Sequence, residues 1–170
     1  MNKTVKQGFT LTELMVVVVI LSILMGIAAG GYRKATERSH FSEGLTAAHT
    51  VLSAVERYHD QHPNTGDTST WPPKIANLDV ALTHAAACTP ASDQCVMTKY
   101  FVVTVQNNGS VTAVRKGNRY TITVYPESFG GTGGSGIRYR KDTCTGKDGN
   151  ADFCISVGYT DCAGAVCQKN

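Results

Sequence analysis

A chain of 170 residues with 16 Lys+Arg, 13 Asp+Glu and 42% hydrophobic residues has the length of one ordinary domain, not of two full ones. Its net charge of +3 is too small for the dense basic stripe of an electrostatic nucleic-acid binder, so no nucleic-acid partner is read from composition. The strongly apolar sequence sits near the N-terminus and all six cysteines lie at or after position 88, which excludes a cytosolic enzyme of uniform texture.

In chain order, the first element is Leu14–Gly31, LMVVVVILSILMGIAAGG, with no charge and one hydroxyl, Ser22. As a helix it covers about 27 Å, close to the hydrocarbon thickness of a bilayer. Only a helix satisfies its own backbone in lipid, so even the β-branched run Val16–Ile20 is expected to be helical. Lys3 and Lys6 precede it, and this charge bias predicts a cytoplasmic N-terminus with the rest of the chain exported. Hydropathy alone fits either a secretory signal cut near Ala28-Ala29-Gly30 or a simple membrane anchor.

Neither of those explains Gly8-Phe9-Thr10-Leu11-Thr12-Glu13. A carboxylate in an apolar helix costs roughly 2.5–3.5 kcal/mol at the helix centre on insertion scales, so Glu13 needs a partner. A cut after Gly8 would create an α-amino group on Phe9, one helical turn from Glu13. The two charges could neutralise each other within one chain or between neighbours. The second option makes Glu13 an assembly device.

The run Gly8-Phe9-Thr10-Leu11-Thr12-Glu13-Leu14-Met15-Val16 resembles the class III signal of type IV pilins and of type II secretion pseudopilins. The resemblance implies that a prepilin peptidase cuts after Gly8 and N-methylates Phe9, and that Glu13 packs subunits in a filament. It also implies an inner-membrane assembly platform as partner, and copies of this chain or related pilins as neighbours in a helical fibre. The protein would be single-pass in the inner membrane before assembly, and part of a periplasmic or cell-surface filament after it. Tyr32 falls where the family often has tyrosine, and Thr12 replaces the commoner isoleucine. Gly30-Gly31 stands where many pilins have a helix-breaking proline; two glycines weaken a helix by roughly 2 kcal/mol relative to alanines, which predicts a soft spot there.

Beyond Gly31 the sequence turns amphipathic. Phe41, Leu45, Ala48, Leu52, Val55 and Tyr58 recur at helical spacing, with Glu37, Arg38, Glu43, Glu56 and Arg57 opposite and a stop at His62-Pro63-Asn64-Thr65-Gly66. His40, His49, His59 and His62 fit no metal-ligand pattern and are read as solvated surface histidines. Residues 63–98, with Trp71-Pro72-Pro73 and the small-residue stretch Ala81 to Ala87, read as a connection. Three strand-like runs follow, Lys99–Gln106, Ser110–Arg115 and Arg119–Tyr125, separated by Asn107-Asn108-Gly109 and Lys116-Gly117-Asn118. They predict an antiparallel meander whose Tyr120, Ile122 and Val124 face the stripe of the long helix, with Pro126 ending the sheet.

The glycine-rich run Phe129–Gly136 lacks the ending of a phosphate loop and is read as a turn. Cys88, Cys95, Cys144, Cys154, Cys162 and Cys167 form an even set in an exported domain, a disulfide framework with fifteen possible connectivities. Closing the shortest loops pairs Cys88–Cys95, Cys144–Cys154 and Cys162–Cys167; a bridge tying the tail back to the sheet is the alternative. Asp142, Asp148, Asn150 and Asp152 are the weak calcium candidates, but no bidentate glutamate follows, and neither a metal nor any other cofactor is assigned.

The expected organisation is leader peptide 1–8, transmembrane and filament-core helix 9–31, amphipathic continuation 32–62, connection 63–98, β-meander 99–126 and cysteine-rich region 127–170. The fold class is α+β, a long N-terminal helix packed on a small antiparallel sheet, and by resemblance the pilin fold. The function read from it is a non-enzymatic subunit of a type IV pilus-like filament serving adhesion, motility or DNA uptake. The alternatives are a pseudopilin of a type II secretion system and an anchored binding or enzymatic domain; no nucleophile–base set or paired carboxylates support the last.

Overall fold

The computed structural model describes residues 8–62, 74–82, 85–88, 92–126 and 141–169. Its contacts fall into two units, Met1–Ser39 and His40–Asn170. The expected α+β architecture is present. Helix α1 runs Leu11–Gln61 and passes through Gly30-Gly31 without a break, so the expected soft spot is not a kink. The glycine penalty weakens a helix without by itself bending it, and the backbone remains helical on both sides. At the C-terminal end the His62 amide donates to the His59 carbonyl at 3.1 Å, and the His62 ring stacks on Tyr58.

Within the second unit the helix lies on a sheet of eight strands, all neighbours antiparallel, in the order β1-β2-β3-β4-β5-β6-β8-β7. The strands are β1 Ala86–Ala87, β2 Cys95–Met97, β3 Phe101–Val105, β4 Val111–Arg115, β5 Tyr120–Tyr125, β6 Lys141–Gly146, β7 Asp161–Ala163 and β8 Val166–Gln168. A short helix α2, Asp152–Ser156, follows β6. The predicted runs are β3, β4 and β5, and β3 and β5 alternate buried and half-buried residues as a one-sided sheet demands. Gly117 and Asn118, both with positive φ, turn β4 into β5.

Two expectations need correction. Pro126 ends β5 but not the sheet, because β6 pairs along all of β5, from Tyr120 opposite Gly146 to Tyr125 opposite Lys141. The regions read as connection and cysteine-rich tail also contribute strands, β1 and β2 from the former and β6, β7 and β8 from the latter. In β6 the apolar alternation is faint because Thr143 and Cys144 are buried where valine or isoleucine would normally stand, and β1, β2, β7 and β8 are only two or three residues long. The stop signal at Pro63–Gly66, the Trp71-Pro72-Pro73 run and the glycine-rich run lie outside the described residues.

The core joins Phe41, Ala48, Val51, Leu52, Ala54 and Val55 of α1 to Phe101, Val103, Val111, Ala113, Tyr120, Ile122, Val124 and Cys144 of the sheet. Leu45 and Tyr58 of the predicted stripe pack at its margin. The helix approaches the sheet most closely at Gly44, where a β-carbon would stand 2.5 Å from the Phe101 ring. That ring is wholly buried and has no room to yield. Gly44→Ala is therefore expected to destabilise this unit by about 1–3 kcal/mol, read as a lower midpoint in denaturant unfolding; an unchanged midpoint would show that helix and sheet part easily.

Candidate functional site

The head of α1 is built by four residues. Gly8, Phe9 and Thr10 precede the first helical turn and are exposed, and a β-carbon at Gly8 would meet open space, so the Gly8–Phe9 bond is accessible. Thr10 is the N-cap. Its Oγ1 accepts from the Glu13 amide at 3.3 Å, while the Glu13 carboxylate reaches back and accepts from the Thr10 amide at 2.8 Å and from the Thr10 hydroxyl at 2.7 Å. This is a reciprocal capping box, in which two amides that a helix start leaves without partners are satisfied together. It also sets the carboxylate against the positive end of the helix dipole. The T-x-x-E spacing was visible in the sequence, and Thr10 is the residue that charge arguments alone passed over.

Beyond the cap the apolar helix stands uncovered. Leu11–Ala28 is long and apolar enough to cross a membrane and none of it is buried within the protein; Phe9 is 88% exposed and Ile20 52%. Ser22, the one hydroxyl in the apolar run, donates to the Val18 carbonyl at 2.7 Å and so carries no unmet polar demand.

The remaining candidates separate. The cysteines are joined as Cys88–Cys95, Cys144–Cys154 and Cys162–Cys167. The second bridge also ties α2 to the sheet. The carboxylates in the tail do not converge: Asp142 sits in β6, Asp148 lies 3.7 Å from Lys147, and Asn150 Oδ1 caps the Asp152 amide at 2.7 Å. Among the described residues no three His, Cys, Asp or Glu side chains gather in a way that could hold a metal. The histidines are not all plain surface groups. His49 Nε2 stands 3.1 Å from Asp142 Oδ2, half-buried between α1 and β6, and the His40 ring packs on Tyr100 at 3.9 Å. The His49 partner lies 93 positions away, where spacing along one helix could not reveal it.

Comparison with known proteins bears on the helix head. Residues 3–29 match the prokaryotic N-terminal methylation motif. The chain is 34% identical over 113 residues, 66% of its length and 45% of the other's, to the type IV major pilin protein PilE1 of Neisseria gonorrhoeae. It is 37% identical over 83 residues, 49% of this chain and 50% of the relative, to the fimbrial protein EcpC of Eikenella corrodens. A fimbrial protein of Neisseria meningitidis is 33% identical over 110 residues, 65% of this chain and 55% of the relative. The chain thus spans about half the length of the curated relatives it matches. No solved structure matches it significantly.

Asp142 has a second neighbour of consequence. The Tyr159 side chain is fully buried, its hydroxyl and Asp142 Oδ1 have no hydrogen-bond partner, and burial together with the Asp142 charge pushes the phenol up to about 12. Since the folded value lies above the ordinary one, this phenol supports the fold fully below about pH 10 and ceases to do so as pH rises towards about 12. Tyr159→Phe is expected to leave neutral-pH stability unchanged or slightly higher, because the lost hydroxyl bonds nothing, and to reduce the alkaline fall between those limits. Unfolding midpoints across that range, with phenolate absorbance as a second reading, check this; identical alkaline curves for the two proteins would count against it.

Proposed function

We propose that this chain, a relative of the type IV pilins by its N-terminal motif, its sequence and its fold, is a structural subunit of a type IV pilus-like filament. The observation that carries the proposal is the uncovered apolar helix of Leu11–Ala28 with a single carboxylate, Glu13, capped at its head. Such a helix holds the precursor in the inner membrane, with residues 1–8 on the cytoplasmic side. Prepilin peptidase removes them, and the new Phe9 amine is methylated.

Subunits then leave the bilayer as their helices bundle. Apolar surface goes from lipid to apolar neighbours, so the segment keeps its surroundings and the packing of helix on helix favours the fibre. In that low-dielectric core Glu13 of one subunit pairs with the Phe9 amine of the next, which fixes the axial stagger between them. The capping box supports this role, since it aims the carboxylate back towards the end of the helix where the new amine appears. Type II secretion pseudopilins share the same head; clustered calcium ligands would favour that alternative, and among the described residues Asp142 faces His49, Asp148 lies by Lys147 and no three such side chains gather. The pilus reading is therefore preferred.

Two measurements test the proposal. Intact-mass analysis of protein made alongside a prepilin peptidase is expected to show a chain beginning at Phe9 and carrying one added methyl group. A start near Gly30, or a retained leader, would refute the processing step. The second uses Glu13→Gln and Glu13→Ala. Glutamine keeps the capping box but removes the charge. Both variants are expected to be processed normally and to lower sheared-filament yield by roughly tenfold or more, because they leave the Phe9 ammonium of the neighbouring subunit buried without its counter-charge. Full yield from the glutamine variant would reduce Glu13 to a helix cap.

A further inference from the structure

The small net charge conceals a segregation of charge at one end of the sheet. There β3 and β5 begin while β4 and β6 end, which brings Lys99, Arg115, Lys116, Arg119 and Lys147 to a single rim. The Lys116 amide donates to the Tyr100 carbonyl at 2.8 Å and its ammonium to the Thr98 carbonyl at 2.6 Å, so this turn is held in place. Tyr120 opposite Gly146 sets Lys147 beside Arg119. Lys99, Lys116, Arg119 and Lys147 are exposed and Arg115 is half-buried. Against these five basic residues the acidic groups near this end are Glu43, 3.9 Å from His40 and close enough to Lys99 to act on its charge, Asp148, 3.7 Å from Lys147, and Asp152, whose amide is bound by Asn150, so basic groups outnumber acidic ones at the rim.

We propose that this rim binds the anionic phospholipid head groups of the membrane that holds the apolar helix. The proposal rests on the membrane-anchored reading above and adds the surface on which the subunit waits before assembly. Two observations favour lipid over another polyanion. The Tyr100 ring is already engaged by the His40 ring at 3.9 Å, the Lys99 ammonium at 4.9 Å and the Arg115 guanidinium at 5.1 Å, so the rim offers phosphate-binding cations but no free aromatic platform for bases. The second is tethering. His40, which packs on Tyr100, follows Ala28 by only twelve residues, a stretch that reaches at most about 40 Å even when fully extended. The short tether alone keeps head groups at a high effective concentration for the rim. The intervening sequence, with Arg33, Lys34 and Arg38 against Glu37, has the same sign.

The test is amine labelling of the full chain in lipid nanodiscs, read by mass spectrometry lysine by lysine. In discs of phosphatidylcholine mixed with phosphatidylglycerol, Lys99, Lys116 and Lys147 are expected to label roughly fivefold more slowly than in phosphatidylcholine alone. Lys141 and Lys169, exposed at the opposite end of the sheet, are expected to be unaffected, and high salt should abolish the difference. Equal labelling of the rim lysines in the two lipids, or equal slowing of Lys141 and Lys169, overturns the proposal. Co-elution with the discs separates the two claims: a chain that co-elutes with unprotected rim lysines refutes this inference alone, and one that does not co-elute refutes the anchoring with it. If duplex DNA protects the same three lysines where phosphatidylglycerol does not, the rim is a nucleic-acid surface and the lipid assignment falls.

Discussion

The apolar side chains of Leu11–Ala28 find no cover within the protein itself. Each large aliphatic group left in water forfeits about 1.5–3 kcal/mol, and a helix bearing more than a dozen of them forfeits tens of kcal/mol. A domain's whole stability is about 5–15 kcal/mol. No rearrangement of the His40–Asn170 unit could offset such exposure, so this helix belongs in lipid or against other helices. Both surroundings also account for its conformation. With no water to accept its amides, a β-branched run and a pair of glycines stay helical where propensity alone would count against them.

The same constraint gives Glu13 its weight. On a soluble helix, a glutamate in the first turn is an ordinary cap. At the head of an apolar helix the cap is still made, and the hydrogen bonds from Thr10 reduce the cost of desolvation without removing the charge. Capping and pairing do not compete, because an ionised carboxylate has about four acceptor positions and can take an ammonium while bonded to Thr10. The cap instead pre-orders the acid, so that less side-chain freedom is lost when a neighbour arrives.

How much could be read in advance follows from the range of each interaction. The apolar run, the amphipathic stripe from Phe41 to Tyr58 and the strands β3 to β5 rest on periodicity within one segment, and they stand where the sequence put them. The helix head was legible in part: Glu13 stood out by its charge, while Thr10 needed the four-residue spacing of a cap. His49 looked like a solvated histidine because its acidic neighbour comes from β6, which had not been recognised as a strand. The basic rim is the same kind of case. Its members are scattered between positions 99 and 147, and only the strand register gathers them, so a whole-chain net charge could not report it.

Of the missed strands, β6, β7 and β8 share a physical cause. One row of register partners crosses the sheet as Ala87, Val96, Val103, Ala113, Ile122, Cys144, Cys167 and Cys162. In its first part the row is aliphatic, as a core-facing row should be. Past Ile122 the aliphatic residues give way to cysteines, with Cys144 and Cys167 fully buried. Each is at once a small apolar packing residue and a covalent staple, Cys144 to α2 and Cys167 to its neighbour across the β7–β8 hairpin. A half-cystine gives no alternation signal of the kind that marks a strand, so sequence reading saw the staples and not the sheet they extend. The three-residue strands β7 and β8 have little apolar area of their own, and the Cys162–Cys167 bridge joins them covalently. The far side of the sheet thus depends on bridges that form only where thiols oxidise.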